Sequence, residues 1–117
     1  MSNRKSVEIG LKENMIVTIE PGYYEDGNFG IRIENCVLIV KEKTKFNYSN
    51  SVEFVKFEPL TYVPIQKELI QKNLLNEQEI KWINEYHEKC LSITGEVLKK
   101  ENKLDVFAWL KEQTTPL

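Results

Sequence analysis

The sequence predicts an α+β fold in which antiparallel strands are followed by helices. Three observations favour this class. The first two are strand-like segments up to about residue 66 and apolar residues at helical spacing after it. The third observation is composition, because 41% hydrophobic and 29% charged residues in a chain of 117 suffice for one packed domain. We therefore expect a strand-rich part over residues 1–66 and a helical extension of the same domain over residues 67–117.

Two strands joined by a long turn are predicted first. Residues 15–20 are rich in β-branched side chains and stop at Pro21. Residues 30–40 start with alternating apolar and polar residues and continue as an apolar run, which indicates a second strand. The segment 21–30 between them contains three glycines and an Asp-Gly pair, which are typical of turns. We therefore predict a long-looped antiparallel hairpin.

The remaining strands are predicted after a polar connection over residues 41–51. A third strand is expected at about residues 52–57, ended by the Glu-Pro pair at 58–59. Residues 61–64 form another extended piece, and we place it at a sheet edge because Pro64 cannot donate to a ladder.

Helical signals dominate the end of the chain. Asn76, followed three residues later by Glu79, matches a capping box and predicts a helix start near Glu77. Apolar residues then recur at helical spacing, so this helix is expected to run to about Lys100. A shorter helix is predicted over residues 104–112.

Composition argues against several classes of protein. Sixteen basic and eighteen acidic residues give a net charge of −2, which disfavours a nucleic-acid binder. No apolar run approaches the roughly 20 residues of a membrane span, and no secretory signal is recognisable at the start. We therefore expect neither a nucleic-acid partner nor a membrane partner. Cys36 and Cys90 lie in apolar patterns and are predicted to be small buried residues.

Glu20 and Glu34 are the most suggestive polar residues. On neighbouring antiparallel strands, two such carboxylates can converge on one point, and carboxylate oxygens suit Mn²⁺, Mg²⁺ or Zn²⁺. Arg32 shares a strand face with Glu34 and could hold a carboxylate in place. The alternative is an Arg–Glu ion pair on a solvated sheet face, and periodicity alone favours this alternative because such strand pairs are common.

Other candidate residues are predicted to be structural. His87 is the single histidine and lies on a mostly apolar helix face, where a hydrogen-bonded core role is the commoner one. No nucleophile-elbow pattern accompanies it, so a hydrolytic triad is not expected. The larger aromatic residues are predicted to pack rather than to stack on bases, given the balanced charge; they include Tyr23, Tyr24, Trp82 and Trp109.

Residues 15–35 resemble the end of the catalytic domain of aminopeptidase P, the Xaa-Pro aminopeptidases. The specific part of the likeness is Glu-Pro-Gly at 20–22 followed by Gly-Ile-Arg-Ile-Glu-Asn at 30–35. It continues through Phe-Glu-Pro-Leu-Thr-Tyr-Val-Pro-Ile-Gln at 57–66, Trp-Ile-Asn-Glu-Tyr-His at 82–87 and Ala-Trp-Leu at 108–110. These later segments are similar to the long, eukaryotic-type cytosolic enzymes rather than to the shorter bacterial ones.

The resemblance implies the pita-bread fold and a dinuclear metal site. Family members hold two Mn²⁺ ions per full-length active site with two Asp, one His and two Glu, and other divalent metals suit such ligands too. By position, Glu20 corresponds to the glutamate that ligates a metal, contacts the nucleophilic water and shuttles a proton. Glu34 corresponds to the glutamate that bridges both metals. Arg32 corresponds to an arginine that lies beside the ligands.

The Asp and His ligands lie upstream of this segment in the family. We therefore expect the chain to be the C-terminal part of a longer enzyme and to be inactive by itself. The longer enzyme is expected to be cytoplasmic and to act on peptides with an Xaa-Pro N-terminus. Its assembly as a homo-oligomer stays open. Two alternatives remain: a non-catalytic pita-bread relative that acts as a binding module, which Glu20, Arg32 and Glu34 argue against, and another pita-bread peptidase such as prolidase.

Overall fold

The computed structural model describes residues 10–45 and 53–117. The chain divides into two compact units, of which the first ends at Thr61 and the second begins at Tyr62. In the described residues, the strands belong to the first unit and the helices to the second. The domain organisation predicted above, with its change at Gln66, stays a prediction.

The described part of the first unit contains five strands. They are β1 (Ile16–Ile19), β2 (Gly22–Glu25), β3 (Phe29–Arg32), β4 (Asn35–Glu42) and β5 (Phe54–Pro59). One sheet has the order β1-β4-β5, and β2 pairs with β3 in a second sheet; all pairings are antiparallel. Val37 and Ile39 in the central strand β4 are buried, with 3% and 0% of their surface exposed. Because they alternate, the buried face of this sheet is the one that they share.

A single register runs through both sheets. Ile19 lies opposite Asn35 at the end of the β1–β4 pairing, and Gly22 lies opposite Arg32 at the start of the β2–β3 pairing. Between these pairs each strand advances by the same number of residues, so the four strands form one antiparallel ribbon. The ribbon is interrupted at Pro21, which has no N–H to donate to the ladder.

The predicted hairpin is confirmed where β1 pairs with β4, but its connection differs from the prediction. The segment predicted as a loop, 21–30, contains β2 and the start of β3, joined by a tight turn. Gly27 adopts a φ of 72° in this turn, and Asn28 N donates to Glu25 O at 3.0 Å. The strand predicted over 30–40 is also wrong as a single element, since it is divided between two sheets by the interruption of the ladder.

Strand β5, one of the two outer strands of the three-stranded sheet, lies close to its predicted place. β5 begins at Phe54 and includes the Glu-Pro pair that was predicted to end it. The predicted first residue, Val52, lies outside the described residues. β4 continues to Glu42, past the predicted end at Val40.

The predicted edge strand over residues 61–64 is wrong, because no strand is present there. Within the second unit, its carbonyl groups accept hydrogen bonds from helix side chains instead. Tyr86 Oη donates to Val63 O at 2.8 Å, and Thr94 Oγ1 donates to Tyr62 O at 3.0 Å. Side chains of a helix therefore satisfy backbone groups that a sheet partner would otherwise satisfy.

The helical predictions are confirmed. Helix α1 spans Glu77–Lys100 and helix α2 spans Leu104–Gln113. The capping box is complete, since Glu79 N donates to Asn76 Oδ1 at 2.9 Å and Asn76 N donates to Glu79 Oε2 at 2.8 Å. Two short 3₁₀ turns, Lys67–Leu69 and Lys72–Leu74, precede α1.

Helix α2 is held against α1 by a small number of contacts. Leu110 is the buried residue of α2, with 2% of its surface exposed. Gly95 of α1 permits a close approach, because a Cβ there would lie 3.0 Å from the ring of Phe107. At the end of α2, Lys67 Nζ donates to Glu112 O at 3.0 Å and so satisfies a terminal carbonyl. These contacts matter because a helix of ten residues is marginal by itself in water.

Candidate metal centre

Glu20 and Glu34 face each other across the ribbon. Glu20 directly follows β1 and Glu34 directly precedes β4, so the register that holds on both sides sets the two residues opposite. The adjacent pair is hydrogen-bonded, since Ile33 N donates to Pro21 O at 3.3 Å. Hydrogen-bonded and non-hydrogen-bonded pairs alternate along an antiparallel ribbon, so the two glutamates occupy a non-hydrogen-bonded pair. Opposing side chains lie closest at such a pair.

Arg32 lies diagonally across the ribbon from Glu20. Its Nη1 donates to Glu20 Oε2 at 2.5 Å and lies 4.0 Å from Glu34 Oε2. The other oxygen of Glu20 accepts a hydrogen bond from Thr18 Oγ1 at 2.7 Å. The structure therefore brings the three predicted site residues together around one guanidinium nitrogen.

The charges of this cluster compensate each other. Two carboxylates directly opposite each other on a sheet repel, and the cation of Arg32 offsets that repulsion. The hydrogen bond with Tyr24 raises the pKa of Arg32, and the charges of Glu20 and Glu34 raise it further. The three charged side chains are nevertheless 43–47% exposed, so solvent screens the cluster. The ion pair that the alternative interpretation predicts is present between Arg32 and Glu20, whereas 4.0 Å is too long for a hydrogen bond to Glu34.

Tyr24, which was predicted to be a packing residue, is also a member of this cluster. Its Oη accepts a hydrogen bond from Arg32 Nε at 2.7 Å. Its ring lies across two glycines, because a Cβ on Gly30 would lie 2.6 Å from ring atom Cδ1 and a Cβ on Gly22 would lie 2.7 Å from Oη. An aromatic residue directly opposite a glycine in a hairpin is the sequence signal that could have indicated this arrangement.

The other titratable candidates belong to other elements of the chain. Asp26 is in the β2–β3 turn, Asp105 is in the first turn of α2, and His87 is inside the second unit. His87 Nε2 accepts a hydrogen bond from Ile65 N at 3.1 Å, so this nitrogen carries no proton. The structural role predicted for His87 agrees with this hydrogen bond and with its complete burial.

The glutamate pair has the right chemistry for a divalent metal but too few donors. Carboxylate oxygens are the ligands that Mn²⁺ and Mg²⁺ prefer, and these ions take about six donors. In residues 10–45 and 53–117, no group of three or more His, Cys, Asp or Glu side chains is arranged to hold a metal ion. Within the described residues, Glu20 and Glu34 are therefore too few donors to hold such an ion by themselves.

Two protein-family descriptions match this sequence. "C-terminal region of peptidase_M24" matches residues 53–117, which is more than half of the chain. "Metallopeptidase family M24" matches residues 2–41, which include all three predicted site residues. The chain belongs to metallopeptidase family M24. The resemblance drawn from the sequence is thereby confirmed at the level of the family.

Several curated relatives carry the name that the resemblance predicts. The chain is 42% identical to Aminopeptidase P1 of Lotus japonicus over 113 residues, which are 97% of this chain and 17% of the relative. It is 42% identical to Xaa-Pro aminopeptidase app-1 of Caenorhabditis elegans over 115 residues, or 97% of this chain and 18% of the relative. Protein pid-5 of the same organism is 41% identical over 92% of this chain and 10% of the relative. The chain thus spans less than a fifth of the length of these relatives.

A solved structure matches the fold. The crystal structure of X-prolyl aminopeptidase from Caenorhabditis elegans, described as a cytosolic enzyme with a di-nuclear active site, aligns with a TM-score of 0.80. The two are 42% identical, and the match covers 92% of this chain and 17% of that one. The predicted α+β class, in which antiparallel strands of the pita-bread C-terminal region precede helices, is confirmed. None of the helices in the described ranges is long and apolar enough to cross a membrane.

Proposed function

We propose that the protein containing this chain is a cytoplasmic Xaa-Pro aminopeptidase, which removes the N-terminal residue from peptides whose second residue is proline. The observation that carries the proposal is the opposed pair of Glu20 and Glu34 around one nitrogen of Arg32. Membership of a metallopeptidase family and relatives named for this activity give the pair a chemical context.

In this proposal Glu20 and Glu34 are two metal ligands, and Mn²⁺ is the ion, with two per full-length active site. Two such metal ions would polarise the substrate carbonyl and lower the pKa of a bound water. Glu34 would be the carboxylate that holds both ions. It is suited to that role because it makes no hydrogen bond to the guanidinium and so has the freer oxygens of the pair.

Glu20 has a second role as the group that accepts and returns a proton. A carboxylate can do so when it is positioned at the reacting group. Thr18 donates to one of its oxygens and Arg32 donates to the other, so two hydrogen bonds fix the orientation of the carboxylate. Arg32 orients this carboxylate without being a ligand, because a guanidinium has donors and no acceptor.

The test is carried out on the full-length protein, with an Xaa-Pro peptide, an otherwise identical Xaa-Ala peptide, and metal content by elemental analysis. Glu34→Ala is expected to lose both metal and hydrolysis, because it removes the shared ligand. Glu25→Ala is the matched control: this glutamate lies on the same ribbon, but it accepts from Asn28 at the hairpin turn. Two ions retained by Glu34→Ala would contradict the ligand role. Equal rates on the two peptides would contradict the proline specificity.

For the 117-residue chain assayed by itself, we expect no hydrolysis of Xaa-Pro peptides and weak binding of Mn²⁺. Two carboxylates leave most positions of an octahedral ion to water. Calorimetric titration with Mn²⁺ checks this expectation, with the Glu20→Ala variant as the reference. Tight binding that Glu20→Ala abolishes would show that the described residues hold the ion without further ligands.

A further inference from the structure

Residues 62–65, which we call the strap, are held on α1 by side chains of that helix. Two of the hydrogen bonds, described above, run from hydroxyl groups of α1 to carbonyl groups of the strap. Another runs in the opposite direction, since Ile65 N donates to His87 Nε2 at 3.1 Å. The attachment of Ile65 to α1 therefore depends on a side chain that can gain a proton near neutral pH.

His87 can accept this hydrogen bond in its neutral form alone. The side chain is fully buried, and because Nε2 accepts, the neutral ring carries its proton on Nδ1. In residues 10–45 and 53–117, Nδ1 has no hydrogen-bond partner. A second proton would have to bind at Nε2, where its N–H would face the N–H of Ile65. A charged ring would then be buried with neither of its donors satisfied, so protonation and the bond to Ile65 exclude each other.

The surroundings of His87 also disfavour a positive charge. Burial lowers the pKa of His87, and the charge of Lys67 in the first 3₁₀ turn lowers it further. On α1, the neighbouring titratable side chains are the buried Tyr86, whose ring centre lies 6.1 Å away, and the buried Cys90. The strap itself contributes the phenol of Tyr62. The carboxylates beside these groups and the charged residues of α2 are exposed to solvent; they are Glu68, Glu85, Glu88, Asp105, Lys111 and Glu112.

We propose that His87 is a pH-sensitive switch for the strap: the neutral imidazole holds Ile65 on α1, and protonation of the ring releases it. The release is local, because the hydroxyl donors that bind the other strap residues keep their protons in acid. A fall in pH would thus free the segment with which the second unit begins. The inference concerns the helical unit and does not rest on the proposed function.

The test is amide hydrogen exchange in the full-length protein between about pH 5 and pH 7.5, read by mass spectrometry on overlapping peptides that isolate Ile65. Rates are corrected for the pH dependence of exchange in an unstructured peptide. Below about pH 6.5, the released strap leaves His87 free to bind a proton that the attached strap excludes. The protection of Ile65 should therefore fall by up to about tenfold per pH unit. Amides in the middle of α1, such as Cys90, should stay better protected than Ile65, because the helix remains folded when the strap is released.

His87→Gln and Thr94→Val are the matched variants. A glutamine offers an amide oxygen that can accept from Ile65 N and does not titrate, so His87→Gln should make the protection of Ile65 independent of pH. Thr94→Val removes the hydrogen bond to Tyr62 O and leaves the imidazole in place. It should lower the protection roughly 3- to 10-fold at every pH while keeping the wild-type slope.

Three outcomes would overturn the proposal. The first is a protection of Ile65 that does not change with pH in the wild type. The second is equal protection of Ile65 and Cys90, which would mean that the strap is released only when the whole helical unit unfolds. The third is a wild-type slope in a folded His87→Gln protein. If His87→Gln does not fold, the slopes of the wild type and of Thr94→Val decide, because a switch at His87 requires the same slope in both.

Discussion

Replacing Gly30 with alanine should break the hydrogen bond between Arg32 and Tyr24 although neither of these residues is changed. The new Cβ would lie 2.6 Å from Tyr24 Cδ1, whereas carbon atoms in contact are normally about 3.5 Å apart or more. The ring must therefore retreat by about 1 Å. Added to the present 2.7 Å, that movement takes the hydroxyl beyond the roughly 3.5 Å limit of a hydrogen bond from Arg32 Nε.

The Gly30→Ala variant should then show faster solvent exchange of the Arg32 Nε–H, measured by NMR, and an affinity for Mn²⁺ about 10- to 100-fold lower in the full-length protein. Gly10→Ala is the control, because a Cβ there has open space around it. Circular dichroism should show the fold retained, since alanine restricts the unfolded chain more than glycine does. Unchanged Nε–H exchange in a folded Gly30→Ala chain would show that the Tyr24 hydroxyl does not hold Arg32.

Three further predictions concern the helical unit and the arginine. Leu110→Ala should destabilise the helical unit by about 2–5 kcal/mol, because this side chain is only 2% exposed, while Leu104→Ala at 58% exposure should change little; urea unfolding followed by circular dichroism measures both. Burial, followed by the charge of Lys67, lowers the pKa of His87, so the unfolded chain binds the proton more readily. Stability should therefore fall as the pH drops below about 6.5, and unfolding at pH 5.5 and 7.5 should show that His87→Gln flattens this dependence. Arg32→Lys should keep the fold and lower the affinity for Mn²⁺ about 10- to 100-fold, because one ammonium nitrogen cannot replace the planar guanidinium. Calorimetric titration of the full-length protein measures this affinity, and a wild-type value would favour a plain surface ion pair.

The candidate site could be found in the sequence because its members are short-range features of two strands. Glu20 ends an apolar run, and Arg32 and Glu34 alternate with apolar residues, so each was visible from periodicity. Tyr24 was not visible in this way, because its role depends on which residue lies opposite. That residue is Gly30, and the pairing follows from the hairpin register rather than from any local pattern.

The strand errors have the same physical origin. Periodicity shows that residues 30–40 are extended, but it does not show that their ladder is interrupted opposite Pro21. The segment 61–64 also reads as extended, yet its carbonyls accept hydrogen bonds from α1 at Val63 and Tyr62. Extended backbone is a local property, whereas the partner that satisfies its polar groups is decided by tertiary contacts.

Short-range sequence patterns were enough to predict that strands precede helices, where α1 starts, the family of the chain and three residues of the candidate centre. Each of these depends on residues close together in the chain, where spacing reports geometry directly. Two facts came from the folded structure alone: Glu20 and Glu34 form one non-hydrogen-bonded pair, and one nitrogen of Arg32 lies near both. Those facts depend on strand register, which a shift of one residue would reverse and which the whole ribbon sets together.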